Sequence, residues 1–104
     1  MKITKLEHAT LILEQGDDRA VIDPGFYTRP LTGIAKVRAI VMTHMHDDHC
    51  FEEQIDRLVA ENTDAQLFGT DEVKKRLGES RPALTVTAVH HGDFHKVGEF
   101  TFKF

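Results

Sequence analysis

The sequence predicts an α+β domain, and three observations carry that expectation. The chain has 104 residues, room for one domain with one core. Its first part consists of short apolar or alternating runs broken by glycine and proline, the pattern of strands and tight turns. After residue 50 the apolar period lengthens to that of helices and later returns to two.

The elements follow in order. Residues 2–7 (KITKLE) alternate weakly and residues 10–13 (TLIL) form an apolar run. Gly16-Asp17-Asp18 signals a turn before residues 19–23 (RAVID), which suits antiparallel strands joined tightly. Asp23-Pro24-Gly25 breaks the chain, and the stretch to Gly33 holds Pro30 and no period, so it reads as a loop. Residues 39–42 (AIVM) make a short buried strand that runs directly into Thr43-His44. Phe51, Ile55, Leu58 and Val59 then fall on one helical face. Glu52, Glu53, Asp56, Arg57 and Glu61 fill the other, with acids at the positive end of the helix dipole. Asn62 with Thr63-Asp64 ends this helix, and residues 65–68 (AQLF) give a strand. Thr70-Asp71 caps a second helix through Leu77, which Gly78 is expected to stop. Residues 84–89 (LTVTAV) alternate as a strand, Gly92-Asp93 turns, and residues 98–104 form a last strand. Phe100, Phe102 and Phe104 share one face of it, opposite Thr101 and Lys103. The sequence stops in phase on a core residue. Either the strand simply ends there, or the chain is part of a larger sheet whose apolar face lacks its cover.

Composition narrows the function classes. Thirteen Lys and Arg against seventeen Asp and Glu give a net charge of −4, which argues against the broad basic face of a nucleic-acid binder. No run approaches the ~18 apolar residues of a membrane span, and Lys5, Glu7 and Glu14 interrupt what a signal peptide would need. A lone cysteine, Cys50, forms no internal disulfide, so a reducing, cytoplasmic setting is expected.

The seven histidines point elsewhere. His44, His46 and His49 lie in one short cluster, His90, His91 and His95 in another, and only His8 stands alone. Histidine holds transition metals and moves protons near neutral pH, so a metal site is the first expectation. In Thr43-His44-Met45-His46-Asp47-Asp48-His49, alternate residues face one way, so His44 and His46 reach one ion together. As the chain turns into the helix, Asp48 and His49 are redirected toward a second. Two ions about 3.5–4 Å apart polarise a substrate oxygen and acidify a bridging water. Imidazoles with a carboxylate suit zinc best, with manganese and iron as alternatives.

His44-x-His46-x-Asp48-His49 behind an apolar strand resembles the H-x-H-x-D-H signature of the metallo-β-lactamase-fold hydrolases. Val21-Ile22-Asp23-Pro24-Gly25 is similar to the family's (I/V)DPG element, whose aspartate supports the metal loop from behind. Leu6-Glu7-His8-Ala9-Thr10 is similar to the GHA(T/S) opening of the ascorbate-6-phosphate-lactonase-like branch, with Glu7 in place of the usual glycine. The resemblance implies a metallo-β-lactamase-type αββα sandwich, of which residues 1–104 are the N-terminal half. It implies His44 and His46 as ligands of a first zinc ion, and Asp48 and His49 as ligands of a second. Asp48 is also implied as the acceptor of the attacking water's proton. Asp23 becomes a supporting residue and His8 a pocket residue. The family's third histidine, bridging aspartate and last histidine all come from its later half, beyond Phe104. His90, His91 and His95 are read as surface turn residues.

The expected function is a metal-dependent hydrolase acting on a small-molecule lactone, phosphodiester or related ester, the chain supplying half of a dinuclear site. The alternative is a non-catalytic metal-binding fragment or module that self-associates. Either a homo-oligomer or a C-terminal half is the expected partner, with no nucleic acid and no membrane.

Overall fold

The computed structural model describes residues 1–104. β1 (Lys2–Lys5), β2 (Leu11–Gln15) and β3 (Asp18–Ile22) form an antiparallel meander. Gly16 takes φ +60° in the turn between β2 and β3, a conformation glycine adopts freely. β4 (Val37–Met42), β5 (Gln66–Gly69) and β6 (Val86–Ala88) then add in parallel, giving one six-stranded sheet in chain order. The parallel crossovers are α1 (Glu52–Glu61) and α2 (Asp71–Ser80). β4 has cover on both faces, which is why its residues read as an apolar run with little alternation.

The two faces have different cores. Ile55, Leu58, Val73 and Leu77 of the helices pack on Val21, Ile40, Met42, Leu67 and Val86. On the other face, Ala20, Ala39, Val41 and Phe68 meet Val97 and Phe100. Those two belong to an antiparallel hairpin of β7 (Phe94–Val97) and β8 (Phe100–Lys103). Helices, sheet and second sheet are the layers expected of the N-terminal half of an αββα sandwich. Of the helical face read from the sequence, Ile55 and Leu58 are fully buried, while Phe51 and Val59 are half-buried at its margins.

Three expectations need correction. α2 does not stop at Gly78 but runs to Ser80. Gly78 is exposed, and a glycine within a helix costs only about 1 kcal/mol. The stop comes from Pro82, which disfavours helical backbone at Arg81, where φ is −134°. β8 begins at Phe100, not Gly98, because Gly98 (φ +57°) and Glu99 make a two-residue turn after β7. β7 itself, FHKV, carried no clean alternation. Lastly, the phenylalanine row is no uncovered face. Phe100 is 3% exposed, Phe102 and Phe104 are half-buried, and both latter rings lie about 6 Å from Phe68. The row turns inward onto the six-stranded sheet.

Candidate metal centre

Sheet register gathers the site at one edge. β3 and β4 are parallel with Ile22 beside Val41, so Asp23 and Thr43 leave the sheet side by side. β2 is antiparallel to β3 with Leu11 beside Ile22, which brings the β1–β2 loop and His8 to the same edge. Residues 43–50 follow β4 as a loop, not a strand. His49 and Cys50 both donate backbone N–H to His46 O, which curls the loop and redirects Asp48 and His49.

Asp-Pro-Gly has a separate reason at each position. Asp23 sits at φ +51°, where aspartate and asparagine are the best tolerated residues after glycine. Pro24 O accepts from Phe51 N at 2.9 Å, joining this turn to the start of α1. A Cβ on Gly25 would overlap the Asp48 carbonyl, so only glycine lets the two loops touch.

Asp23 is buried, and its carboxylate organises the imidazoles. Oδ1 accepts from Thr43 N at 2.6 Å, and Oδ2 accepts from Thr43 Oγ1 at 2.7 Å. His49 Nδ1 lies 2.9 Å from Oδ2 and Thr43 Oγ1 lies 2.9 Å from His44 Nδ1. An ionised carboxylate only accepts, so His49 Nδ1 carries its proton. Thr43 has spent its one hydroxyl proton on Asp23, so His44 Nδ1 must donate to it. One carboxylate therefore sets both tautomers, directly for His49 and through Thr43 for His44. Both Nε2 atoms are left with lone pairs, the form that binds a metal.

The donors converge in part. His8 Nε2, Asp48 and His49 offer ligand atoms all within 4.8 Å of one another. His8 Nε2 is 2.9 Å and His49 Nε2 3.5 Å from Asp48 Oδ2. The His8 hydrogen bond, with His49 adding to it, holds the Asp48 carboxyl below its ordinary range. The His44 ring centre is 4.6 Å from that of His49, and the His44 and His46 rings stack nearly parallel at 6.3 Å. His44 and His46 stand outside the group of three. Two imidazoles with a carboxylate are a donor set that fits zinc, manganese or iron. Cys50 takes no part, because burial pushes its thiol up to about 12.

His90 and His91 are exposed on the segment that leaves β6 at the same end of the sheet, where they line a pocket with Thr43. They stand outside the group of converging donors, and His90 Nε2 lies 3.0 Å from Asp71. His95 departs from the expectation of a turn residue. It lies in β7, half-buried, its ring 5.0 Å from Phe68.

Supporting residues without any motif signal hold the loops. Fully buried Thr10 donates Oγ1–H to Asp23 O at 2.6 Å, and Thr28 donates to Glu7 O at 2.8 Å. Buried Gln54 on α1 donates to the carbonyls of Thr28 and Arg29 and accepts from Leu31 N. Glu7 grips Arg29 through both carboxylate oxygens, which lowers its pKa to about 2. The residue replacing the usual glycine thus fastens the His8 loop to the 26–31 loop. Tyr27, Met45, His46, Asp47, Asp48, Glu72 and Arg76 line an open cleft of about 600 Å³ beside His46 and Asp48.

The family profile described as "Beta-lactamase superfamily domain" matches residues 2–104. The chain belongs to that superfamily. It is 32% identical to protein Rv0786c of Mycobacterium tuberculosis over 99% of its own length and 46% of the relative's. A metal-dependent hydrolase of Natranaerobius thermophilus is 29% identical over 93% of this chain and 46% of that protein. A crystal structure from Parabacteroides distasonis, of a protein provisionally named a metal-dependent hydrolase, superposes with a TM-score of 0.73. It is 26% identical and covers 89% of this chain and 39% of its own. The chain spans about half the length of the curated relatives it matches. Membership supports a metal-dependent hydrolase at the level of the family. No helix is long and apolar enough to cross a membrane.

Proposed function

We propose that this chain carries half of a dinuclear zinc centre in a hydrolase that cleaves a small-molecule lactone, phosphodiester or related ester. The observation that carries the reading is the shared Asp23 carboxylate, which leaves His44 and His49 with Nε2 lone pairs and rings 4.6 Å apart. Orienting partners of this kind are the usual company of metal-bound histidines. His44 and His46 hold one ion, and Asp48 and His49 hold the other. The family's third histidine, bridging aspartate and last histidine supply further ligands to the two ions. When bound, the ions supply Lewis acidity for the substrate oxygen and acidify water toward neutral pH.

The chain's own residues do the rest. Asp48 takes the proton of the attacking water, and in the metal-free chain its carboxylate is already held in place by His8 at 2.9 Å. Asp23 and Thr43 keep the imidazoles from turning. The cleft beside Asp48, at about 600 Å³, is of small-molecule size, with Tyr27 and Arg76 on its wall. Buried, lone Cys50 suits the reducing cytoplasm. A second reading is a metal-binding fragment or module that self-associates and has no activity of its own.

Calorimetric titration with zinc tests the proposal. The wild-type chain takes up zinc, and the paired variants His44→Ala/His46→Ala and Asp48→Ala/His49→Ala each take up less. A wild-type chain that binds none, or variants with unaltered isotherms, overturns it. Turnover of a lactone or bis-phenyl phosphodiester by the chain alone separates the two readings.

A further inference from the structure

The geometry points to His8 as a third ligand, from within this chain, of the ion held by Asp48 and His49. The inference rests on the reading above and deepens it. Two ligands leave an ion too open, whereas three protein ligands with one open position are what catalytic zinc sites use. His8 supplies the missing one from an unexpected place, the loop between β1 and β2.

Spacing is the first argument. Donors on a tetrahedral ion with bonds of ~2.1 Å stand ~3.4 Å from one another. Asp48 Oδ2 lies 2.9 Å from His8 Nε2 and 3.5 Å from His49 Nε2, and all three donors fit within 4.8 Å. Of these, the 3.5 Å separation already matches, and the 2.9 Å hydrogen bond has to lengthen toward ~3.4 Å to admit an ion.

Backbone construction is the second. His8 holds φ +58°, a left-handed conformation uncommon outside glycine, though histidine takes it more readily than most residues. The loop imposes it by Leu6 N–H to Thr10 O at 2.9 Å and by Lys5 Nζ to His8 O at 2.6 Å. Thr28 and Arg29 fasten the adjacent Glu7. Tyr27 lies against the imidazole at 5.3 Å between ring centres, and His49 faces it at 6.1 Å. A backbone held by these bonds fixes where its side chain points, and this one points at Asp48, 2.9 Å away.

Without metal, the proton between His8 Nε2 and Asp48 Oδ2 occupies the ion's place. Binding displaces it, with Nδ1 keeping the other hydrogen if the imidazole was protonated or receiving one if it was neutral. A mere hydrogen-bond partner of Asp48 needs only a donor of the right length. A ligand needs an imidazole lone pair.

The test is zinc titration in the His44→Ala/His46→Ala background, where this site alone remains, with the wild-type chain alongside. His8→Asn keeps a residue that tolerates the left-handed backbone but loses the reach, and His8→Gln keeps a donor of similar length. Far-UV circular dichroism checks that each variant is folded. Binding in the background, weakened more than about tenfold by both substitutions, is expected. A His8→Gln variant that binds as tightly as its parent overturns the inference, as does a folded background variant that takes up no zinc while the wild type does. A wild-type chain that takes up none defeats the earlier reading instead.

Discussion

His49 presents Nδ1 to the buried carboxylate of Asp23 at 2.9 Å, across 26 positions of sequence, and the same oxygen receives the Thr43 hydroxyl. The carboxylate therefore decides which nitrogen of His49 faces the cleft. Asp23→Asn isolates that role, because asparagine matches the shape and also tolerates φ +51°. Its amide end would set a donor against Thr43 or His49, both of which now donate. Zinc affinity is expected to fall about 10- to 100-fold, the usual cost of losing an orienting partner, in a chain that still folds. An unchanged dissociation constant would show that the imidazoles need no carboxylate behind them.

Gly25 answers a steric demand rather than a chemical one. Phe26 N donates to Asp47 O at 2.7 Å while Gly25 presses on the Asp48 carbonyl. Gly25→Ala pushes those loops apart at the point where Asp48 is aimed. A loss of about 1–3 kcal/mol in urea denaturation is expected, as for other overpacked contacts, together with weaker zinc binding. Wild-type stability would mean that the loops part without cost.

Much of this centre was legible because its residues carry chemistry in close sequence. His44, His46, Asp48 and His49 stand together, and Asp23 precedes a proline and glycine that mark a special turn. Thr43 was in view yet silent, since one threonine at a strand end is indistinguishable from any other. Gln54 was hidden more deeply. It falls on the buried side of α1, where a polar residue reads as a break in the pattern, and only the 25–31 loop folded over it shows what its amide satisfies. The covering of Phe100, Phe102 and Phe104 was unreadable for a related reason. Alternation says which residues share a face, whereas the layer that face meets depends on β7, whose FHKV carries no clear period.

Leu58 tests the helix that fixes the metal loop. It is 1% exposed, packed between α1 and the six-stranded sheet, and its carbonyl accepts from Asn62, which closes the helix. Leu58→Ala is expected to destabilise by about 2–5 kcal/mol, the range of buried leucine truncations. Val59→Ala, at a half-buried position one residue on, should cost clearly less. Equal losses in chemical denaturation would contradict the register of α1.

The last expectation concerns the other histidine cluster. His90 Nε2 meets Asp71 at 3.0 Å, and its Nδ1 lies 3.7 Å from Asp93, tying the turn before β7 to the first residue of α2. Asp71, and Asp93 more weakly, favour the charged imidazole and raise its pKa above 6.5. The sign follows directly. A proton held more tightly in the folded state stabilises it below pH 6.5, and that contribution disappears as pH rises through the raised value. Both partners are exposed, so the effect on stability is small and salt-sensitive, and nuclear magnetic resonance is the better measure. The His90 ring proton should titrate above 6.5 in the wild type and fall back toward it in Asp71→Asn, while Asp93→Asn moves it less. His90→Ala should leave zinc affinity unchanged, because His90 is engaged with Asp71 and stands outside the converging donors His8, Asp48 and His49. A fall in zinc affinity on removing His90 would place the centre at the wrong cluster.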